Sequence, residues 1–341
     1  MRLITYFSLF ILSATLFSCS SEPKNYDSLL PGFIGFNGEM VVVMSDAEWK
    51  SEPGRAIQEL FYSPYEMLPQ IEAQMDLEQR DVDLFHQFYK KHRTVILADI
   101  RDNLNNQTPQ VKVRRDVFSR GQLFIEIIAK DANTFKEIVE SKGQQIVQLI
   151  QAEEFKRIQQ QQSKLASELV QDQIETRHGV GLLVTKEYQI VKDLDNFVWL
   201  RRIKSNQNPE LDGSIFIYSY PYTSDSTFTL NYLVAKRDSV LGAYVRGSND
   251  QAKMATELRF PPKKYDIEYN GAYAAQVKGL WKVAEDFQGG PFTSISFVDT
   301  LAQRIVCVEG LVYAPHEEKR EHMRDIESLI RTAKVIPPSE K

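Results

Sequence analysis

The sequence predicts an α+β protein of two α/β-layered domains behind a cleaved N-terminal signal. Three observations lead there. The chain has 341 residues, and at about 150 residues per domain that length supports two hydrophobic cores. Runs of β-branched and other apolar residues precede amphipathic helical segments in both halves, the pattern of helices layered on sheets. Arg2 is the only charge before a continuous apolar run from Leu3 to Phe17. Hydrophobic residues make up 43% and charged residues 26%, values of an ordinary globular chain. A net charge of −5 leaves no basic surface to displace counterions from nucleic acid, so nucleic acid is not an expected partner.

The N-terminal run has the anatomy of a secretory signal: one positive residue, about 15 apolar residues, then the small residue Ser18. A spanning helix needs roughly 20 apolar residues, more than this run offers. Leu16-Phe17-Ser18-Cys19 resembles the bacterial lipobox, in which the cysteine is acylated and becomes the new N-terminus. The resemblance implies lipidation at Cys19, cleavage after residue 18 and attachment to a membrane through N-terminal acyl chains. Ser20 to Pro31 is polar and reads as a tether. Ser20 is not Asp, which favours the outer membrane of the cell envelope over the inner one; the periplasmic and surface sides stay open. With Cys19 acylated, Cys307 is the remaining thiol, no internal disulfide forms, and its β-rich surroundings read as an inert buried strand.

Domain boundaries follow from the pattern: signal 1–18, lipidated tether 19–32, an N-terminal α+β domain over 33–172 and a C-terminal one over 173–341. Glu39 to Ser45 (EMVVVMS) is a buried strand. Asp46 caps a short helix with Trp49 inward, and Pro53-Gly54 interrupts it or starts the next, which ends before Pro64. Val82, Phe85 and Phe88 share a spacing that predicts a short helix. Thr94 to Ile100, Val111 to Val117 and Gly121 to Ala129 are strands, followed by a helix from Asp131 to Ile138. Residues 141–176 read as one or two long helices whose four glutamines, Gln159 to Gln162, form a solvated spacer or a coiled-coil surface.

In the second half the strand candidates are Gly181 to Val191, Asn196 to Ile203, Ser214 to Tyr220, Tyr273 to Ala284, Phe292 to Val298 and Gln303 to Tyr313. Phe228 to Tyr244 is helical, 245–264 irregular, and His316 to Ile336 an amphipathic helix that buries Met323, Ile326, Leu329 and Ile330. Trp281 to Phe292 (WKVAEDFQGGPF), Glu309 to Pro315 with Lys319-Arg320 after it, and Leu68 to Glu72 (LPQIE) resemble landmarks of a Bacteroidota lipoprotein family catalogued as domain-of-unknown-function family 4837. The resemblance implies an envelope lipoprotein over nearly all of the mature chain and supplies no catalytic residues. The order of elements in the second half is similar to PsbP-like α/β/α sandwiches.

No nucleophile elbow, phosphate-binding loop or dinucleotide fingerprint occurs. His86/His92 and His316/His322 stand six residues apart, about 240° round a helix, so neither pair grips one metal. No cofactor and no metal is expected. The acidic pairs Asp81/Asp83, Glu153/Glu154 and Glu317/Glu318 read as solvated charge, and Lys319, Arg320 and Arg324 as a salt-bridged solvent face. The most site-like stretch holds Trp281, Asp286, Gln288, Gly289 and Gly290, whose glycines either open backbone amides to a ligand or shape a hairpin turn. Together these point to a non-catalytic binding or assembly module of the envelope, possessing a protein partner there. The alternative is a hydrolase on cell-wall or glycan substrates with Asp286 or Asp225 as its acid. Cys19→Ala is expected to move the protein from the membrane to the soluble envelope fraction, checked by fractionation and immunoblotting.

Overall fold

The computed structural model describes residues 30–104, 108–202, 211–247, 251–284 and 287–337. The N-terminal half is built on a five-stranded sheet of β1 (Glu39–Val43), β2 (Asp76–Arg80), β3 (Thr94–Ile100), β4 (Gln110–Arg115) and β5 (Leu123–Ala129), in the order β2-β1-β3-β5-β4. Its neighbours are parallel except β4 and β5. Parallel strands covered on both faces need apolar residues at every position, which explains the unbroken run Met40 to Val43. β2 (DLEQR) lies at the sheet edge, where charged side chains are tolerated, and its polarity hides it from pattern reading.

Four helices accompany this sheet: α1 (Asp46–Trp49), α2 (Glu52–Phe61), α3 (Gln87–Lys90) and α4 (Ala132–Gln162). α1 is capped by Ser45 in a reciprocal box with Glu48, not by Asp46. The segment expected as one helix over Val82 to Phe88 is a 3₁₀ turn at Val82–Leu84 followed by α3, because only Phe85 turns inward, against Phe118. Asp131 does cap its helix, accepting the Thr134 N–H at 2.7 Å, but that helix runs on for 31 residues. α2 and α4 cover one face of the sheet around Ile57, Phe61, Phe135 and Ile150. The other face is covered thinly, by Phe85, Tyr89, Val117 and Phe118.

After α4 come α5 (Glu168–His178) and a larger, antiparallel sheet. Its strands are β7 (Tyr188–Leu194), β8 (Phe197–Arg202), β9 (Asp212–Pro221), β10 (Met254–Thr256), β11 (Lys263–Tyr269), β12 (Ala272–Val283), β13 (Gly289–Asp299) and β14 (Arg304–Tyr313). They run β10-β12-β13-β14-β9-β8-β7, and β11 continues the β12 edge beyond β10. The expected strand over Gly181 to Val191 is two pieces, since β6 (Val180–Gly181) leaves to pair with β15 (Lys334–Val335). Phe197, Phe216, Tyr218 and Cys307 point to one face, under α6 (Leu230–Tyr244). Val198, Leu200, Ile215, Val306 and Val308 point to the other, under Ile174 of α5 and Ile326, Leu329 and Ile330 of α7 (Arg320–Ile330). This half is therefore an α/β/α sandwich. Burial holds the Cys307 thiol protonated, pushed up to about 12, with Glu309 adding to the effect.

The halves meet along α7, and here the sequence reading is corrected. Lys319, Arg320 and Arg324 are buried rather than solvated: Glu321 of α7 itself pairs with both arginines, and their remaining polar partners come from the other half. Glu72 accepts the Lys319 and Arg320 backbone N–H groups, each at 2.8 Å, and so caps α7 from outside. Arg320 reaches Asp76 and the Ala73 carbonyl, and Arg324 the Gln74 carbonyl. The glutamine run joins in: Gln159 donates to the Ser328 carbonyl at 2.8 Å and Gln162 to that of Asp325 at 3.0 Å. Of the pair read as surface charge, Glu154 is buried between Arg93 and Arg157, and Glu153 is nearly so. Glu72→Ala removes two charge-assisted bonds at once and is expected to cost about 2 kcal/mol, read as a lower urea midpoint, with Glu72→Gln losing less.

Candidate functional site

α7 lies over β14, β13 and β9 and leaves the β11–β12 end of that sheet face bare. α4 and the loop after α2 arch over this bare end from the N-terminal half. The space enclosed between them is a cleft of about 650 Å³, within the range of small-molecule sites.

Its floor is set by strand register. Tyr265 pairs with Gln276 and Lys263 with Lys278 across β11 and β12, so all four side chains share one face of the sheet. Gln276 donates to Thr293 Oγ1 at 3.0 Å and to Glu327 Oε1 at 2.8 Å. Lys278 Nζ donates to Glu327 Oε2 at 3.0 Å, and Arg331, one helical turn beyond Glu327, donates Nε at 3.0 Å and a terminal nitrogen at 2.7 Å. Burial would keep the Glu327 carboxyl neutral; Lys278 and Arg331 outweigh it and hold the group ionised at about 2. The Arg331 guanidinium also lies 4.8 Å from the centre of the Phe155 ring on α4.

The roof comes from helix periodicity. Gln144, Gln148, Gln151 and Phe155 follow one another at i, i+4, i+7 and i+11 and line the cleft. The Gln151 amide donates to Gln74 Oε1, and Gln74 donates to the Pro64 carbonyl, both at 2.9 Å, which ties α4 to the loop. The side chains of Gln144 and Gln148, on the backbone-bonded helix α4, have no hydrogen-bond partner among the described residues. At the mouth, Glu66 accepts from Lys263 Nζ at 3.0 Å and from the Tyr265 hydroxyl. Desolvation of Glu66 works against these two bonds, which prevail and lower its pKa. The cleft thus offers amide donors and acceptors on one wall, a fixed cation–carboxylate network on the other and an aromatic edge.

The residues singled out from sequence lie elsewhere. Asp286, like Cys19, falls outside the described residues. Trp281 is buried, its Nε1 donating to the Val312 carbonyl at 3.3 Å. Trp281 and Gln288 border a separate cavity of about 80 Å³. Gly289 and Gly290 pair with Lys282 and Trp281, and a Cβ on Gly290 would collide with the Val312 carbonyl, so close strand packing requires that glycine. Asp225 is exposed, accepts from the Tyr222 hydroxyl at 2.6 Å and is not among the residues that line the cleft. Among the described residues no three His, Cys, Asp or Glu side chains converge to hold a metal. Sequence reasoning overlooked the cleft residues, although the Gln144–Gln148–Gln151 spacing and the Glu327–Arg331 pair at i, i+4 were both readable. Lys278 carried no local signal.

Residues 167–332 match a family described as "Domain of unknown function (DUF4837)". The match spans just under half of the chain. Residues 34–163 match a second one, "Domain of unknown function (DUF8532)", so the near-complete coverage expected of a single family is divided between two. Leu68 to Glu72 falls in the second, and the break between the families coincides with the turn from α4 to α5. No curated protein matches the chain. Among solved structures it is similar to a mutant of the protein Mog1, at 11% identity over 47% of this chain and 93% of that one, with a TM-score of 0.31. The Ran-binding protein Mog1p of Saccharomyces cerevisiae matches at 11% over 46% and 90%, TM-score 0.32. LpqN, involved in cell envelope biogenesis of Mycobacterium tuberculosis, matches at 9% over 46% and 83%, TM-score 0.29. Likenesses this distant say nothing of what the chain binds.

Glu327→Gln leaves Lys278 and Arg331 without a counter-charge and is expected to destabilise the fold by about 3 kcal/mol at neutral pH. Because the folded carboxyl titrates near 2 and the unfolded one near 4.5, its contribution is complete above pH 4.5 and fades as pH falls toward 2. The gap in melting temperature between wild type and Glu327→Gln should therefore close over that interval, checked by thermal melts across it.

Proposed function

We propose that the chain is a lipid-anchored, non-catalytic binding module of the cell envelope, holding a hydrogen-bonding ligand or a segment of an envelope partner in the cleft between its halves. The observation that carries the reading is the cleft itself: about 650 Å³, lined by polar side chains whose floor is already locked by the Gln276–Lys278–Glu327–Arg331 network. A prearranged polar surface binds without reorganising, which is where binding modules gain affinity. The signal-like N-terminus with Cys19 supports attachment at the outer membrane. No helix among the described residues is long and apolar enough to cross a membrane.

The hydrolase reading has less support. Glycoside hydrolysis needs one carboxyl kept protonated as the acid. Glu327 is held ionised by its cations, and Glu66 is shifted the same way by Lys263 and Tyr265. Asp225 stands outside the cleft.

A photo-crosslinking amino acid at Gln148 in the full lipidated protein tests the proposal in native membranes. One dominant adduct is expected, reduced about tenfold by Gln151→Ala or Lys278→Met, the loss of one hydrogen bond to a charged or amide partner. No adduct, or one indifferent to both changes, would count against binding in the cleft. Chemical conversion of the cross-linked species by purified protein would overturn the non-catalytic reading.

A further inference from the structure

The thinly covered face of the N-terminal sheet carries an exposed apolar cluster that the cleft does not use. Val82, Leu84 and Phe88 are 53%, 55% and 66% exposed, within one seven-residue stretch. They flank in sequence Phe85 and Tyr89, which with Phe118 pack on the small core around Phe124, and Phe88 meets the Tyr89 ring edge to face with centres 5.3 Å apart.

This cluster borders the point where the chain enters the fold from the N-terminal segment. The Pro31 carbonyl accepts the Arg120 N–H at 2.8 Å, and Ile34 bonds to Lys91 and Arg93 on either side of His92. The incoming strand thus runs between the segment that follows α3 and the turn before β5. Two residues from Arg120, Phe118 meets Phe85 edge to face with ring centres 6.2 Å apart. Lys90 Nζ sits 5.5 Å and 5.9 Å from the centres of those two rings. Ser119 Oγ donates to the Lys91 carbonyl at 3.0 Å, closing the same corner. The acids beside it include Asp81, Asp83 and Asp116; Asp81 accepts the Asp46 and Asp83 N–H groups and Asp116 the Gly121 N–H.

We propose that this face, with Val82, Leu84 and Phe88 as its apolar tip and Lys90, Lys91 and Arg120 around it, rests on the lipid surface to which the chain is tethered. The inference depends on the lipid-anchored reading above. Eleven residues separate Cys19 from Pro31. As a relaxed coil they span about 20 Å, against a body about 50 Å across for its length. The anchor therefore holds the face around Pro31 against the bilayer and keeps the opposite face away from it. Large apolar side chains presented at that spot enter the headgroup boundary, where shallow insertion of about 5–10 Å suffices, and the neighbouring cations meet lipid phosphates.

The test uses full-length lipidated protein carrying Val82→Cys, labelled with an environment-sensitive fluorophore, since Cys307 is buried and Cys19 is acylated. Leu169→Cys, at an exposed site on α5, is the control. On vesicles of phosphatidylethanolamine and phosphatidylglycerol, iodide quenching at position 82 is expected to fall about threefold while position 169 stays open. Adding Leu84→Ser and Phe88→Ser should restore quenching without releasing the protein from vesicles. If the protein floats with vesicles but position 82 remains as open as 169, the face is free and the inference fails while the tether stands. Protection at position 82 without vesicles would replace the lipid surface by a second copy of the chain. If wild type does not float at all, the tether reading falls and this inference with it.

Discussion

The carboxylate of Glu72 on the N-terminus of α7 is the contact on which the arrangement of the halves depends. A helix start carries free N–H groups and a partial positive charge, and here no residue of α7's own half caps it: Lys319, the flanking residue, has helical backbone angles and makes no side-chain cap. The missing acceptor comes from the loop after α2, which brings Asp76 and the Ala73 and Gln74 carbonyls to Arg320 and Arg324. Once that loop is seated, Glu66 stands over Lys263 and Tyr265, and α4 lies along α7. The cleft is the space left between these fixed points.

Buried carboxylates do similar joining work within each half. Glu154 links α4 to the start of β3 through Arg93 and Arg157. Glu309 on β14 holds Arg237 of α6 through bonds of 2.8–3.0 Å, with the guanidinium 3.9 Å from the Phe292 ring centre. Glu327 joins α7 to β12. Replacing such an ion pair by apolar groups is often neutral for stability, whereas removing one partner strands a buried charge. These pairs accordingly act by excluding other placements of the helices. Gly310 contributes by absence: a Cβ there would meet Ile326 at 2.9 Å, so the glycine lets α7 lie close on β14.

The cleft and the apolar tip sit on different parts of the N-terminal half. The cleft is roofed by α4 on one side of the small sheet, and Phe85 and Tyr89, between the residues of the tip in sequence, cover the other side. A chain resting on lipid by the tip would hold its cleft off the bilayer, open to the envelope space. On that proposal, binding and attachment would be separated across one sheet.

Much of this protein was determined by local sequence. Apolar runs such as Met40 to Val43 and Ile305 to Val308 can only be buried strands, and the spacing of Met323, Ile326, Leu329 and Ile330 can only be one face of a helix. Asp131, Pro53 and the strand at Thr94 to Ile100 were legible for the same reason, each signal lying within a few residues. β2 and β11 were not, because edge strands escape the burial that writes an apolar pattern. The fate of charge was equally illegible: Lys319, Arg320, Arg324 and Glu154 have the composition of a solvated face. Their burial follows from partners roughly 60 to 250 residues away. A carboxylate or guanidinium is solvated or buried according to whether a counter-charge arrives, and only the tertiary structure brings Glu72 to α7 and Lys278 to Glu327.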